Sequence, residues 1–203
     1  TVLFLVTEDQ AAFAGMGPLE RFLGALFSAV TPRTAGFNSV DTAALSNSGK
    51  MLTMFMMFIG GSPGSTAGGV KTTSMIVLLF YAVAMVLNRE DINLFGRRLT
   101  DEVVKKANAV VIINATLTVI ATIVIMALQP LLNFEDVLFE VLSAIGTVGM
   151  TVGITRDLNI ISQVIIIVLM YCGRLGSLSF ALVFAQKSTS ASVRRPQEKI
   201  IVG

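Results

Sequence analysis

The chain has 203 residues, of which 54% are hydrophobic and only 14% charged, where an ordinary soluble domain carries roughly 25% charge. With a mean hydropathy of +0.78 it reads as an integral membrane protein whose first partner is the lipid bilayer. The absence of histidine removes the usual general base and the commonest metal ligand. The single cysteine, Cys172, leaves no intramolecular disulfide and no thiolate cluster. A net charge of +2 carries little information, and no nucleic-acid partner is expected.

In chain order, Thr1 to Val6 reads as the end of a helix that starts upstream, so the chain is expected to be the carboxyl-terminal part of a longer polypeptide. After the polar break Thr7-Glu8-Asp9-Gln10, Gly17-Pro18 offers a helix start and Leu19 to Val30 a short amphipathic helix. Thr31-Pro32-Arg33-Thr34-Ala35-Gly36-Phe37-Asn38 follows, with Pro32 ending the helix and Gly36 supplying backbone freedom.

From Lys50 to Leu87 the chain is apolar except in its middle. As one helix it would run about 57 Å, far beyond a hydrocarbon core of ~30 Å. The break is written in Gly60-Gly61-Ser62-Pro63-Gly64-Ser65-Thr66-Ala67-Gly68-Gly69-Val70-Lys71-Thr72-Thr73: five glycines and a proline within ten residues do not make an ordinary helix. Irregular backbone at membrane depth must be packed in protein or line an aqueous path, so this stretch is read as an intramembrane loop and a candidate gate. Two other readings apply to it. Gly64 and Gly69 have the spacing of a phosphate-binding loop, but Val70 intervenes before Lys71 and no strand precedes the run. Gly60, Gly64 and Gly68 also form a small-xxx-small series suited to close packing.

Asn88 to Lys106 is a polar connector with Arg89, Arg97, Arg98, Lys105 and Lys106; the tail holds Lys187, Arg194, Arg195 and Lys199. By the positive-inside tendency both lie in the cytoplasm. Between them come a spanning helix, Val103 to Leu128, a short apolar helix, Phe134 to Ile145, and a last span, Ile160 to Ala185. The short helix leads into Thr147-Val148-Gly149-Met150-Thr151 and enters from outside. A Thr/Gly strand at membrane depth suggests a re-entrant loop, in which glycine lets carbonyls point one way and replace an ion's hydration shell while threonine adds a hydroxyl. A tight turn between two helices is the plainer alternative. Gly36 and Gly149 lie 113 residues apart, and the order of elements around them is the same, which indicates an internal repeat. Glu135, Asp136 and Glu140 either raise the local cation concentration or form a solvated cap. Gly173-Arg174-Leu175-Gly176 puts an arginine near mid-membrane, where it needs water, carbonyls or an acid; Arg174 is a functional residue or a structural partner of the loop.

The order helix, re-entrant helix, filter, helix, repeated, resembles the superfamily of Trk, Ktr and HKT potassium transporters. The residues that carry the resemblance are the Thr31 to Asn38 stretch, the Gly60 to Thr73 loop, Gly146 to Thr151 and Gly173-Arg174-Leu175-Gly176, and the ending Lys199-Ile200-Ile201-Val202-Gly203 looks most like KtrB-type membrane subunits. The resemblance implies an all-α membrane fold of four helix–pore loop–helix units, with residues 1–99 supplying the third unit (pore helix and filter 19–38, broken helix 50–88) and 100–203 the fourth (helices 103–128 and 160–185, pore helix and filter 134–151, tail 186–203). It implies K⁺ uptake through backbone carbonyls, with Thr34, Ala35, Gly36, Phe37, Asn38, Thr147, Val148, Gly149, Met150 and Thr151 as filter. The gate would be Gly60, Gly61, Ser62, Pro63, Gly64, Ser65, Thr66, Ala67, Gly68, Gly69 and Lys71, faced by Arg174. Phe37 and Met150 stand where tetrameric potassium channels have tyrosine, and Asn38 and Thr151 where they have the last glycine, which leaves K⁺ against Na⁺ open. The resemblance further implies a plasma-membrane homodimer with its carboxyl terminus in the cytoplasm, and a ring of cytoplasmic regulatory subunits that bind the nucleotide. No cofactor is expected on this chain itself; K⁺ is the transported ion, and Na⁺ a candidate coupling ion.

No enzymatic activity is expected: an intramembrane hydrolase would need a Ser/His dyad or paired membrane aspartates, and neither is present in a clear span. The remaining alternative is a non-conducting scaffold in which the glycines serve packing.

Overall fold

The structure, a computed structural model, describes residues 1–9, 11–87, 93–94 and 97–176. The helices are α1 (Val2–Thr7), α2 (Pro18–Val30), α3 (Asn47–Phe58), α4 (Thr72–Val86), α5 (Asp101–Leu128), α6 (Phe134–Ile145) and α7 (Ile160–Leu175). In the polar connector a small antiparallel ribbon joins β1 (Asn93–Leu94) to β2 (Arg97–Arg98), with Asn93 opposite Arg98, a strand pair that the all-helical expectation did not include. Arg89 and the tail cations Lys187, Arg194, Arg195 and Lys199 lie outside the described residues, as does the ending 199–203.

Local chemistry explains the starts. Pro18, with no amide to satisfy, opens α2, and the Glu20 carboxylate accepts from the Gly17 amide at 3.2 Å. Ser46 and Asn159 cap α3 and α7 by accepting from the amides of Gly49 and Ser162. The apolar run after Lys50 is interrupted where the glycines stand: α3 stops at Phe58 and α4 resumes at Thr72. The last span, expected over 160–185, is described only as far as Gly176. α7 closes at Leu175, because Gly176 takes a left-handed φ of 85° that a helix cannot continue through; residues 177–185 are not described.

Among the described residues α5, 28 residues long, is the one helix with the length and apolarity to cross a membrane; it runs about 42 Å. Its polar stripe is satisfied within the helix, since Asn114, Thr118 and Thr122 each donate to the carbonyl four residues back. The core gathers around α6, where Val137, Phe139, Val141 and Ile145 are fully enclosed by α3, α5 and α7 through Met57, Ile125 and Leu169. Gln129 ties the end of α5 to the start of α7, donating to the Asp157 carbonyl and accepting from the Asn159 amide, both at 2.9 Å. A smaller cluster, Phe4, Phe13 and Ala25, holds α1 to α2. By contrast, Leu19, Phe22, Leu23, Leu26, Phe27 and Val30 of α2 remain exposed.

Candidate functional site

Two loops follow the two short helices, and their backbones match in one unusual respect. Thr34 has φ 70° and Thr147 φ 51°; two residues on, Gly36 has φ 72° and Gly149 φ 88°. A β-branched residue in the left-handed region is strained by a Cβ clash, and such strain persists only where the surroundings over-determine it. Its recurrence at the 113-residue spacing of the two glycines makes the loops a structural pair. Neither is an extended strand, the form expected of them; left-handed residues alternate with others instead.

Each loop is tied back to its own helix by a hydroxyl. Thr31 donates to the Phe37 carbonyl and Ser143 to the Met150 carbonyl, each at 2.6 Å. The loops also touch one another. Thr34 donates from its hydroxyl to the Gly146 carbonyl at 3.2 Å, and a Cβ on Gly36 would run into the Val148 carbonyl oxygen. Of the ten expected filter residues, Val148 and Met150 are buried while Ala35, Phe37, Asn38 and Gly149 are exposed. The threonine hydroxyls expected as ion ligands are engaged with protein: Thr34 with Gly146, Thr147 with the glycine run, Thr151 with Glu140.

The glycine run Gly60 to Lys71 forms an arch with a hydrogen-bonded neck. Ile59 bridges Val70; the Gly60 amide donates to the Val70 carbonyl at 2.8 Å, and the Thr72 amide to Gly61 at 3.2 Å. Gly60 and Gly68 meet so closely that a Cβ on Gly60 would strike the Gly68 carbonyl, which is the close packing of the loop's ends that the small-residue spacing suggested. With α3 rather than a strand before it, the run lacks the setting of a phosphate-binding loop. The arch lies against the second loop: the Gly68 amide donates to the Thr147 hydroxyl at 3.1 Å, and Gly69 faces the Gly146 Cα. Two cations hold its crest. Lys71 donates to the carbonyls of Ser65, at 3.1 Å, and Ala67; Arg174, from α7, donates to the Thr66 carbonyl at 2.5 Å. Beside Arg174, Gly173 lets α7 come so near α6 that a Cβ there would strike the Ile145 carbonyl. A hollow of about 250 Å³ lies between the arch and the end of α7, lined by Ser65, Thr66, Lys71 and Arg174.

The acids separate by position. Glu135 is exposed, and Asp136, in the same first turn of α6, meets Lys50 of α3 at 3.5 Å. Glu140 is buried at 5% exposure and accepts from the hydroxyls of Thr151 and Thr155, so it is neither solvated nor a cap. Sequence patterning also missed Glu8. Fully buried, it accepts from the Ser46 amide at 3.0 Å and from the Ser46 hydroxyl; a charged residue just after an apolar run was the available signal.

The TrkH family profile, described as a cation transport protein, matches residues 1–195. The potassium/sodium uptake protein NtpJ of Enterococcus hirae is 39% identical over 208 residues, covering 100% of this chain and 46% of that protein. The Ktr system potassium uptake protein B of Bacillus subtilis is 34% identical over 203 residues, covering 100% of this chain and 45% of its own length. The chain thus spans about half the length of the curated relatives it matches. In fold it is similar to the crystal structure of the potassium transporter TrkH from Vibrio parahaemolyticus, with a TM-score of 0.75 and 24% identity over 91% of this chain and 40% of the other. These are transporters and not enzymes. A helical chain matched over nearly its whole length by one profile, with a solved relative of the same fold, belongs to the TrkH family of cation transport proteins.

Proposed function

We propose that the chain carries the third and fourth units of a four-unit pore subunit that takes up K⁺ through backbone carbonyls. Residues 1–99 and 100–203 are the two units. The observation that carries this is the paired backbone: left-handed Thr34 and Gly36 in one loop, left-handed Thr147 and Gly149 in the other, with the Gly36 Cα against the Val148 carbonyl. Alternating hand along a short segment turns successive carbonyls toward one side, the arrangement that can replace water around a cation. Support for K⁺ comes from the names of the relatives, one of which also names sodium, so Na⁺ is a candidate coupling ion.

The arch is the proposed gate. It sits on the Thr147 side of the second loop, is irregular backbone stiffened by Lys71 and Arg174, and must be displaced for ions to pass. The exposed apolar face of α2 is the side on which the first two units would pack. By resemblance, the subunit works as a plasma-membrane homodimer, with the polar connector and tail in the cytoplasm beside a nucleotide-binding regulatory ring.

The test is K⁺ uptake by the complete subunit in bacteria lacking their own K⁺ uptake, comparing wild type with Gly149→Ser and with a shortened Gly64 to Gly69 arch at matched membrane expression. Lower K⁺ affinity or selectivity from the first and higher flux from the second are expected. Unchanged ion handling in both would leave a non-conducting scaffold as the better account.

A further inference from the structure

We infer that Glu140 is a positioning residue of the fourth loop, a buried carboxylate in α6 that fixes the stance of Thr151 and Thr155 and thereby the ion-facing backbone before them. The inference rests on the filter assignment proposed above.

Three observations carry it. First, the location of Glu140 has no other explanation. It lies in the middle of α6, past the first turn in which Glu135 and Asp136 meet the helix dipole, and no basic group pairs with it among the described residues. A carboxylate enclosed in this way is costly unless hydrogen-bonded. Its bonds are the two threonines: Oε1 accepts from Thr151 and, at 2.9 Å, from Thr155. The two hydroxyl oxygens are themselves 2.9 Å apart, and the Thr151 hydroxyl accepts from the Gly153 amide at 2.9 Å. The carboxylate is therefore the acceptor on which both hydroxyl protons converge, with the Gly153 amide bonded in turn to Thr151 where the chain turns after the loop.

Second, one helical turn further along α6, Ser143 holds the Met150 carbonyl at 2.6 Å. Two consecutive residues following Gly149 are thus fastened to the same helix, one by its carbonyl and one by its side chain. The Val148 amide donates to the Ser143 carbonyl of α6 at 2.9 Å, and its own carbonyl is left on the side that faces Gly36.

Third, the other loop lacks both halves of the contact together. At the 113-residue spacing, Phe27 stands in place of Glu140 and Asn38 in place of Thr151. Phe27 and Asn38 line a small hollow behind the first loop with Thr31 and Thr53. The acid and its hydroxyl partner occur as a pair in one loop and are both missing from the other, as a specific contact requires and a general attraction of cations does not.

The decisive experiment uses the complete subunit in cells deficient in K⁺ uptake, reading KM and Vmax for K⁺ and inhibition by Na⁺ at matched membrane expression. Glu140→Leu, Thr151→Val and the double variant are expected to raise KM roughly five- to tenfold and to weaken discrimination against Na⁺, with Vmax little changed. The double is expected to be no worse than the poorer single. Glu140→Gln keeps the accepting oxygen and is expected to restore KM. The proposal is overturned if Thr151→Val and Glu140→Leu keep the wild-type KM. It is equally overturned if Glu140→Gln is as impaired as Glu140→Leu, since charge and not position would then be what matters. If Glu140→Leu does not reach the membrane, Thr151→Val decides. Gly149→Ser, run alongside, separates the two levels: a changed KM there with unchanged Glu140 and Thr151 variants removes the positioning role and keeps the filter, whereas no change in any of them removes both.

Discussion

The amide of Gly68 and the hydroxyl of Thr147 meet at 3.1 Å across 79 residues of chain, so the glycine arch and the second loop share one hydrogen bond. A methyl on Gly68 would enter the Thr147 side chain and approach the Gly146 carbonyl to 2.9 Å. Gly68→Ala is therefore expected to unseat the arch, at a cost of about 1–3 kcal/mol from overpacking. A lower melting temperature of the purified subunit together with altered K⁺ flux checks this; an unchanged melt and flux would show that the arch is not seated on Thr147.

Arg174 holds the crest of the arch through the Thr66 carbonyl. Glutamine at this position is shorter and uncharged, so, on the proposed gate, Arg174→Gln in the complete subunit is expected to loosen the crest and raise the initial rate of K⁺ uptake severalfold at equal expression. Uptake equal to wild type would show that Arg174 does not hold the passage shut.

Glu8 and Gly49 form a second test pair, where α1 meets the start of α3. The Glu8 carboxylate occupies the place a Cβ on Gly49 would need, and it caps α3 through Ser46. Gly49→Ala should cost about 1–3 kcal/mol, and less in a Glu8→Ala background where the obstruction is gone. Thermal unfolding of the four members of this cycle in detergent measures the coupling; additive costs would refute the contact.

The Lys50 and Asp136 pair links α3 to α6 at 3.5 Å with both side chains less than a fifth exposed. Its length holds its contribution near about 1 kcal/mol, and Asp136 keeps the Asn133 side-chain amide as a donor at 3.2 Å when Lys50 is gone. Lys50→Met is accordingly expected to shift the melting temperature by no more than a few degrees, and a larger shift in low salt than in high salt would identify what remains as electrostatic.

How much of this could be read from the chain differs from feature to feature. The arch was visible because glycine and proline punctuate a helix by local rules, and α3 and α4 stop and start at its edges. The start of α6 at Phe134 follows from Asn133 and the acids after it. The 113-residue spacing located two positions that the structure gives left-handed backbone. What stayed hidden depends on the chain returning to itself. Glu140 looked like a surface acid because its partners lie 11 and 15 residues later and reach it only once the chain turns at Gly149 and Gly153. Glu8 finds Ser46 at a separation of 38 residues. The strain at Thr34 and Thr147 leaves no compositional trace, since threonine is an ordinary residue for an extended segment. The left-handed backbone at Gly176 was not legible either, since a backbone angle has no hydropathy.

The arch interrupts one helix, and α7 has no counterpart to it among the described residues. Between the two units of the proposed pore that this chain carries, closure therefore behaves as a latch thrown from one wall and not as an iris drawn in from both. A latch needs something to catch on, and Thr147 and Arg174 stand on the opposite jamb. A ring of identical subunits repeats every substitution at each position around its axis. Here each change falls once, so the contacts of the latch can be weakened one at a time and opening graded in single steps.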